Sequence, residues 1–257
     1  MPESVASLLF MYADDSKVVR QIQCESDYLA LQSDLDKLCD WSKDWQLRFN
    51  LDKCKILRIG KCNVKRQYSM QDKNDQTTVL FDTVEEKDLG IWMDNSLKFS
   101  VHVAHAAAKA NQILGFIRRT FIYMDISLMK QLFISMVRPH LEFGNVVWHP
   151  ILKKDQETLE SVQRRATKLV PSLSKLCYEE KLKLMHLPSL SYRRLRGDVI
   201  ETFKYLHGIY NTNSSLLLPL APLHAGIQTR GHSLKLLKRE CPLSVRANVL
   251  GFRIVNF

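Results

Sequence analysis

Asp14 and Asp15 are adjacent carboxylates between two short apolar runs, residues 7–11 and 16–22. Apolar runs parted by turn-favouring aspartates read as a β-hairpin. On a regular strand consecutive side chains face opposite ways, but at the tip of a tight hairpin both carboxylates can lie at the mouth of one site. Like charges held so close repel, and one carboxyl is pushed toward protonation unless a cation neutralises the pair. A divalent metal supplies that cation. Mg²⁺ takes one or two protein carboxylates together with substrate phosphates, and paired metals about 3.5–4 Å apart assist in-line displacement at phosphorus. The plain alternative is a surface Asp-Asp turn, which Asp favours for its own sake.

Other residue types offer less. His102 and His105 share a helix face, but no carboxylate or cysteine is spaced to complete a metal shell, so they read as structural or surface histidines. Trp41 and Trp45, four apart, are suited to base stacking or, more plainly, to packing a helix on a sheet. Arg164, Arg165 and Lys168 on a basic helix could touch phosphates or form a solvated face. No phosphate-cradling Gly-rich loop is present, and no Ser-His-Asp or Cys-His set follows from spacing.

The charge is unevenly placed. The net charge is +10 over 257 residues; residues 1–128 carry 17 Lys+Arg and 18 Asp+Glu, residues 129–257 carry 20 and 9. Basic clusters lie at Arg164-Arg165-Lys168, Arg193-Arg194-Arg196 and Lys235-Lys238-Arg239. A basic half on an otherwise balanced chain points to a polyanionic partner, with nucleic acid the commonest. With 46% apolar and 25% charged residues, the composition is that of a folded protein and excludes global disorder. No apolar run approaches the roughly 18–20 residues needed to span a bilayer, and no secretory signal is evident. The six scattered cysteines lack a C-x-x-C pair, which favours reduced thiols and an intracellular location, in cytoplasm or nucleus.

These residues must be positioned by two kinds of structure. Residues 1–95 read as α+β: the hairpin, then a helix over 26–46 capped by Ser26. Its apolar stripe is Tyr28, Leu31, Leu35, Leu38 and Trp45, with Asp34, Asp36, Asp40 and Asp44 outside. A strand follows at Lys55–Ile59, then a polar loop or loose hairpin over 61–78, then a strand pair formed by Val79–Phe81 and Leu89–Met93. Residues 96–210 read as helical. Ser100 and Ser127 are expected caps, a helix stop is expected near Pro139, and helices are expected over 154–170 and 190–209. Residues 211–257 read as a basic irregular tail.

The stretch Leu8-Leu9-Phe10-Met11-Tyr12-Ala13-Asp14-Asp15 resembles the signature hairpin of reverse transcriptases, and more narrowly that of the non-LTR (LINE-type, jockey- or CR1-like) retrotransposon polymerases. Trp41 to Lys55 is similar to the next palm motif of that family, a helix leading to N-x-x-K and a strand. Lys87-Asp88-Leu89-Gly90-Ile91, with Leu97-Lys98-Phe99 and His102, resembles its palm-to-thumb passage. Arg138-Pro139-His140-Leu141-Glu142-Phe143-Gly144, Trp148 and Val162 to Lys168 resemble its C-terminal helical region. The ordered set covers nearly the whole chain.

The resemblance implies an α+β fold, a partial polymerase palm followed by an all-α thumb and C-terminal helical region. It implies that Asp14 is a Mg²⁺ ligand, that Asp15 sits beside the metals, that Lys53 assists proton transfer to the leaving pyrophosphate, with Lys55 a weaker substitute, and that Tyr12 lines the primer end. The implied reaction is RNA-templated DNA synthesis on a DNA primer. The family site also needs an aspartate from an earlier palm strand, together with fingers and template contacts. Only Met1 to Ser7 precede the hairpin here, so the 257 residues alone are expected to be inactive and residues 7–22 poorly covered. Alternatives are a non-catalytic nucleic-acid-binding remnant and a helical interaction protein.

Overall fold

The structure is a computed structural model that describes residues 5–60, 66–71, 76–212, 217–221, 234–238, 240 and 249–256. The fold is mixed α+β and about half helical. Two compact units divide the chain, residues 1–86 and 87–257. Among the described residues every sheet has two strands.

In the first unit β1 (Leu8–Tyr12) and β2 (Asp15–Val19) form an antiparallel hairpin with Tyr12 opposite Asp15. Helix α1 (Glu25–Asp44) follows. Its cap is Cys24 rather than Ser26: the Asp27 carboxylate reaches back to the backbone N–H groups of Gln23 (2.9 Å) and Cys24 (3.2 Å), filling donors a helix start leaves open. β3 (Lys55–Leu57) pairs in parallel with β6 (Phe81–Thr83), and β4 (Ser69–Gln71) pairs antiparallel with β5 (Thr77–Val79). The strand expected at 55–59 is thus shorter, and that expected at 79–81 is split, because Leu80 leaves the ladder to bury its side chain and donates its N–H to the Tyr68 carbonyl (2.8 Å); its two halves pair with β4 and β3 and not, as expected, with the strand near 89–93. Helix α1 lies on β4. Gln32 mimics a strand neighbour, donating to the Ser69 carbonyl (2.8 Å) and accepting from the Ser69 N–H (3.1 Å). The core is Leu38, Cys39, Tyr68, Met70 and Leu80, flanked by Leu31, Leu35 and Ile56. Trp45 departs from the expected packing stripe. It lies just past the helix, is 66% exposed, and stacks on Trp41 at 6.2 Å.

In β7 (Glu85–Asp88) the chain passes into the second unit. β7 and β8 (Ile91–Asp94) form a hairpin about Leu89 and Gly90, both left-handed. α2 (Ser100–Thr120) starts after Phe99, and its entry is organised by Asp94, not Ser100. The Asp94 carboxylate accepts from the backbone of Ser96 (2.7 Å) and Phe99 (3.2 Å), and these bonds outweigh its burial and hold its pKa low. Likewise α3 (Ile126–Leu132) is capped by Asp125, which accepts from the Leu128 N–H (2.7 Å), and not by Ser127. Pro139 does not stop the next stretch. A π-helical turn (Phe133–Val137) widens the helix just before it and leads into α4 (Arg138–Glu142), so the proline sits in a first turn where its missing N–H costs little.

α5 (Lys153–Lys168), α6 (Tyr178–Met185), α7 (Leu190–Leu206) and the short α8 (Leu250–Arg253) complete the unit. Its core runs from Ile91 and Val103 through Phe133, Leu141, Trp148, Leu159 and Val162 to Leu190. Gly144 adopts φ +64°, and a Cβ there would fall 2.8 Å from Ile91 Cδ1, so a side chain at this turn before the buried Trp148 would be strained and would displace Ile91. Much of the tail expected over 211–257, Arg239 included, lies outside the described residues. Its described parts include a bridge between Leu220 and Leu236. Among the described residues no helix is long and apolar enough to cross a membrane.

Candidate functional site

The β1–β2 hairpin presents Asp14 within a two-residue turn and Asp15 as the first residue of β2. Ala13, the first turn residue, has φ +53° while Asp14 does not share the positive φ. Glycine is the usual occupant there, and an alanine in left-handed backbone is strained by roughly 1–2 kcal/mol. Strain of this kind gathers at functional turns. Tyr12, opposite Asp15, is 67% exposed, and Leu8, Phe10 and Met11 are also solvent-facing. The hairpin is thus held at its base and open at its tip.

The base is fixed by a residue that helical periodicity assigns to the outer face. Asp34 of α1 is 1% exposed. Its Oδ2 accepts from the Ser7 N–H (2.8 Å) and Ser7 Oγ (2.6 Å), and its Oδ1 accepts from the Ala6 N–H (3.1 Å) and Lys37 Nζ (3.2 Å). Arg20, just past β2, stands 3.7 Å from Oδ2 and also donates to Ser7 Oγ (3.3 Å). Burial pushes this carboxyl up, but the Ser7 and Ala6 donors outweigh it and hold its pKa at about 2. Both ends of the hairpin are tied to one buried anion. The only sequence signal was a helical Asp three residues before Lys37.

Lys53 lies on the turn Asn50–Lys53 that leads into β3, where its N–H donates to the Asn50 carbonyl (3.0 Å), and its side chain is exposed. Lys55, the weaker substitute, is committed to Glu86 at 2.9 Å. The hairpin and the β3–β6 pair are separate ladders, so no shared sheet brings Lys53 beside Asp14 and Asp15.

A two-metal clamp needs carboxylates converging from opposed strands. Among the described residues no group of three His, Cys, Asp or Glu side chains could hold a metal ion. Asp14 and Asp15 by themselves do not make up such a centre.

The basic residues divide sharply. Arg164 forms a salt bridge with Glu157 and lies over the Tyr178 ring at 5.1 Å. Arg193 grips Glu142 with two nitrogens, one at 2.8 Å. Arg194 is 2% exposed. Of the basic cluster at 193–196, Arg193 and Arg194 are therefore turned into the fold, where α7 meets α4 and α5, while Arg196 is exposed. Arg165 and Lys168 behave differently. With Arg118, Asn111 and Gly115 of α2 they line a cleft of about 360 Å³. Arg118 and Asn111 had no motif to mark them; only the helix pairing brings them in.

Two described histidines are held within the helical unit. His102 Nδ1 accepts from the Trp92 N–H (3.2 Å), its ring lies 4.6 Å from Trp148, and burial with the nearby His105 lowers its pKa to about 4. His149, which with Trp148 and Pro150 reads in sequence as a helix end, stands 3.5 Å from Asp198, and burial beside Arg253 and Arg194 lowers its pKa to about 3. Asp198 is fully buried and paired with Arg253 through two bonds of 2.7 and 2.6 Å. Comparison of the chain with protein-family models, with curated proteins and with solved structures returned no match.

Proposed function

We propose that the chain is the C-terminal part of a non-LTR retrotransposon reverse transcriptase. In this reading residues 1–95 derive from the lower palm and 96–210 from the thumb and C-terminal helices. The single observation that carries it is the β1–β2 hairpin. The stretch that resembles the polymerase signature forms a hairpin, and Asp14 and Asp15 stand at its strained, exposed turn. In the complete polymerase Mg²⁺ would belong with Asp14, Asp15 and a third carboxylate, Lys53 would serve the leaving group, and Tyr12 would face the primer. The partners are an RNA template and a DNA primer. The four described cysteines, Cys24, Cys39, Cys54 and Cys177, are free thiols, in keeping with an intracellular setting.

A second reading, a non-catalytic nucleic-acid-binding remnant, is favoured by the charge partition. Residues 1–86 hold 12 Lys+Arg and 15 Asp+Glu, whereas residues 87–257 hold 25 and 12, so the second unit carries all the positive excess. Two assays on the 257-residue chain separate the readings. Binding to a primed RNA template should weaken steeply with salt; a salt-independent response sinks both. Primer extension with Mg²⁺ and deoxynucleotides should be absent, and templated extension by the pure chain would show that its own residues complete the metal site. An in-frame aspartate strand encoded 5′ of the Met1 codon favours the polymerase reading over the remnant.

A further inference from the structure

α2 and α5 lie side by side and run the same way. Near their starts Ser100 Oγ donates to Asp155 Oδ2 (2.6 Å), and their later turns line one cleft. We propose that this cleft holds the phosphodiester backbone of a nucleic-acid strand, with Arg118, Arg165 and Lys168 on the phosphates and Asn111 as a neutral partner beside them. The proposal deepens the nucleic-acid reading above and rests on it.

Three observations support the assignment. First, other arginines of this unit are spent on ion pairs: Arg164 with Glu157, Arg193 with Glu142, Arg253 with Asp198. Among the described residues no carboxylate pairs with Arg118, Arg165 or Lys168. Second, the charge exceeds what the fold requires. Two helix C-termini carry about half a negative charge each. Three cations against them leave about two positive charges, suited to one or two phosphodiesters. Third, Gly115 sits inside α2, where glycine is unfavourable relative to alanine. No left-handed backbone requires it, and a Cβ there would come no closer to any neighbour than 4.0 Å, from Arg119 Nη1. Packing does not explain the missing side chain. It leaves the cleft floor open between Leu114 and Leu169, whose apolar sides suit sugar rings, while arginine forks suit phosphate oxygens.

The test is fluorescence anisotropy of a labelled RNA–DNA duplex with the full chain across a salt series. Its variants are Arg165→Gln with Lys168→Gln, Gly115→Leu, and the control Lys153→Gln with Lys154→Gln at the other end of α5. The double cleft variant should lose roughly tenfold or more in affinity and lower the slope of log affinity against log salt by about 2. Gly115→Leu should weaken binding at unchanged charge, and the control should change affinity by less than about twofold. Circular dichroism checks folding; if Gly115→Leu does not fold, the two charge-matched pairs decide. Duplex binding unchanged in the cleft variants overturns the cleft while leaving the nucleic-acid reading standing. No duplex binding by the parent chain, even at low salt, overturns both. A parent chain that takes inorganic phosphate in the cleft but no duplex shows a free-anion site and overturns the proposal as well.

Discussion

Replacing Asp34 with Asn should loosen the hairpin while leaving α1 intact. The buried carboxylate takes three hydrogen bonds from Ala6 and Ser7, with Lys37 and Arg20 close by. Its pKa falls from 3.8 to about 2 on folding, a preference for the charged form of about 2 kcal/mol. Asparagine keeps one acceptor but turns an NH₂ toward a backbone donor, so a loss of about 2–3 kcal/mol in the first unit is expected. The pH dependence carries a definite sign. A carboxyl with a depressed folded pKa stabilises fully above its unfolded value, and that contribution fades as pH falls from about 4 through about 2. The parent chain should lose it over that window, and Asp34→Asn should not show that component. Amide exchange at Ser7 and along β1 and β2, with urea unfolding at several pH values, reads both effects. A variant within about 0.5 kcal/mol of the parent, with unchanged exchange in the hairpin, would refute the anchoring role.

Ala13→Gly should stabilise the hairpin by about 1 kcal/mol by relieving left-handed backbone, seen as slower amide exchange at Tyr12 and Asp15. Arg253→Met strands Asp198 without its charge partner in the interior and should cost about 3–5 kcal/mol in urea unfolding of the second unit; a near-neutral result would mean that Asp198 finds another partner or water. His102 and His149, with pKa values of about 4 and about 3, bind protons more readily when unfolded. Their stabilisation is full above about pH 6.5 and declines as pH falls toward those values, by about 2 kcal/mol each at pH 5. Substituting either with Gln should flatten the fall in urea midpoint between pH 7 and pH 5.

Local apolar spacing made much of the framework legible. Val103, Ala107, Ala110, Leu114 and Ile117 define α2, and Leu159, Val162 and Ala166 define α5, because one buried stripe per helix leaves a 3–4 repeat in any chain. The caps were misread in a consistent way. Ser26, Ser100 and Ser127 each lie inside a first turn, while an aspartate does the capping from nearby, since a carboxylate reaches further and complements the helix start. Periodicity assigns Asp34 to the outer face of α1, and charge clustering offers Arg193 and Arg194 to a polyanionic partner. Neither can see Ser7 arriving from 27 residues away, or Glu142 from 51. The cleft was half legible: Arg165 and Lys168 stand out as a run, whereas Arg118 joins them only through the side-by-side helices. The hairpin was read most fully because its signals, two apolar runs and a turn pair, are contiguous.

The pairing of Asp198 with Arg253 has a consequence for how the chain is made. The two residues are 55 positions apart, so α7 leaves the ribosome well before the guanidinium that its most buried carboxylate requires. Until then Asp198 must stay hydrated, and the seam it shares with His149 and Val146 lacks the guanidinium that bridges it. Closure of this seam is thereby postponed until α8 has been synthesised, and a nascent chain stalled before Arg253 should keep it open to protease.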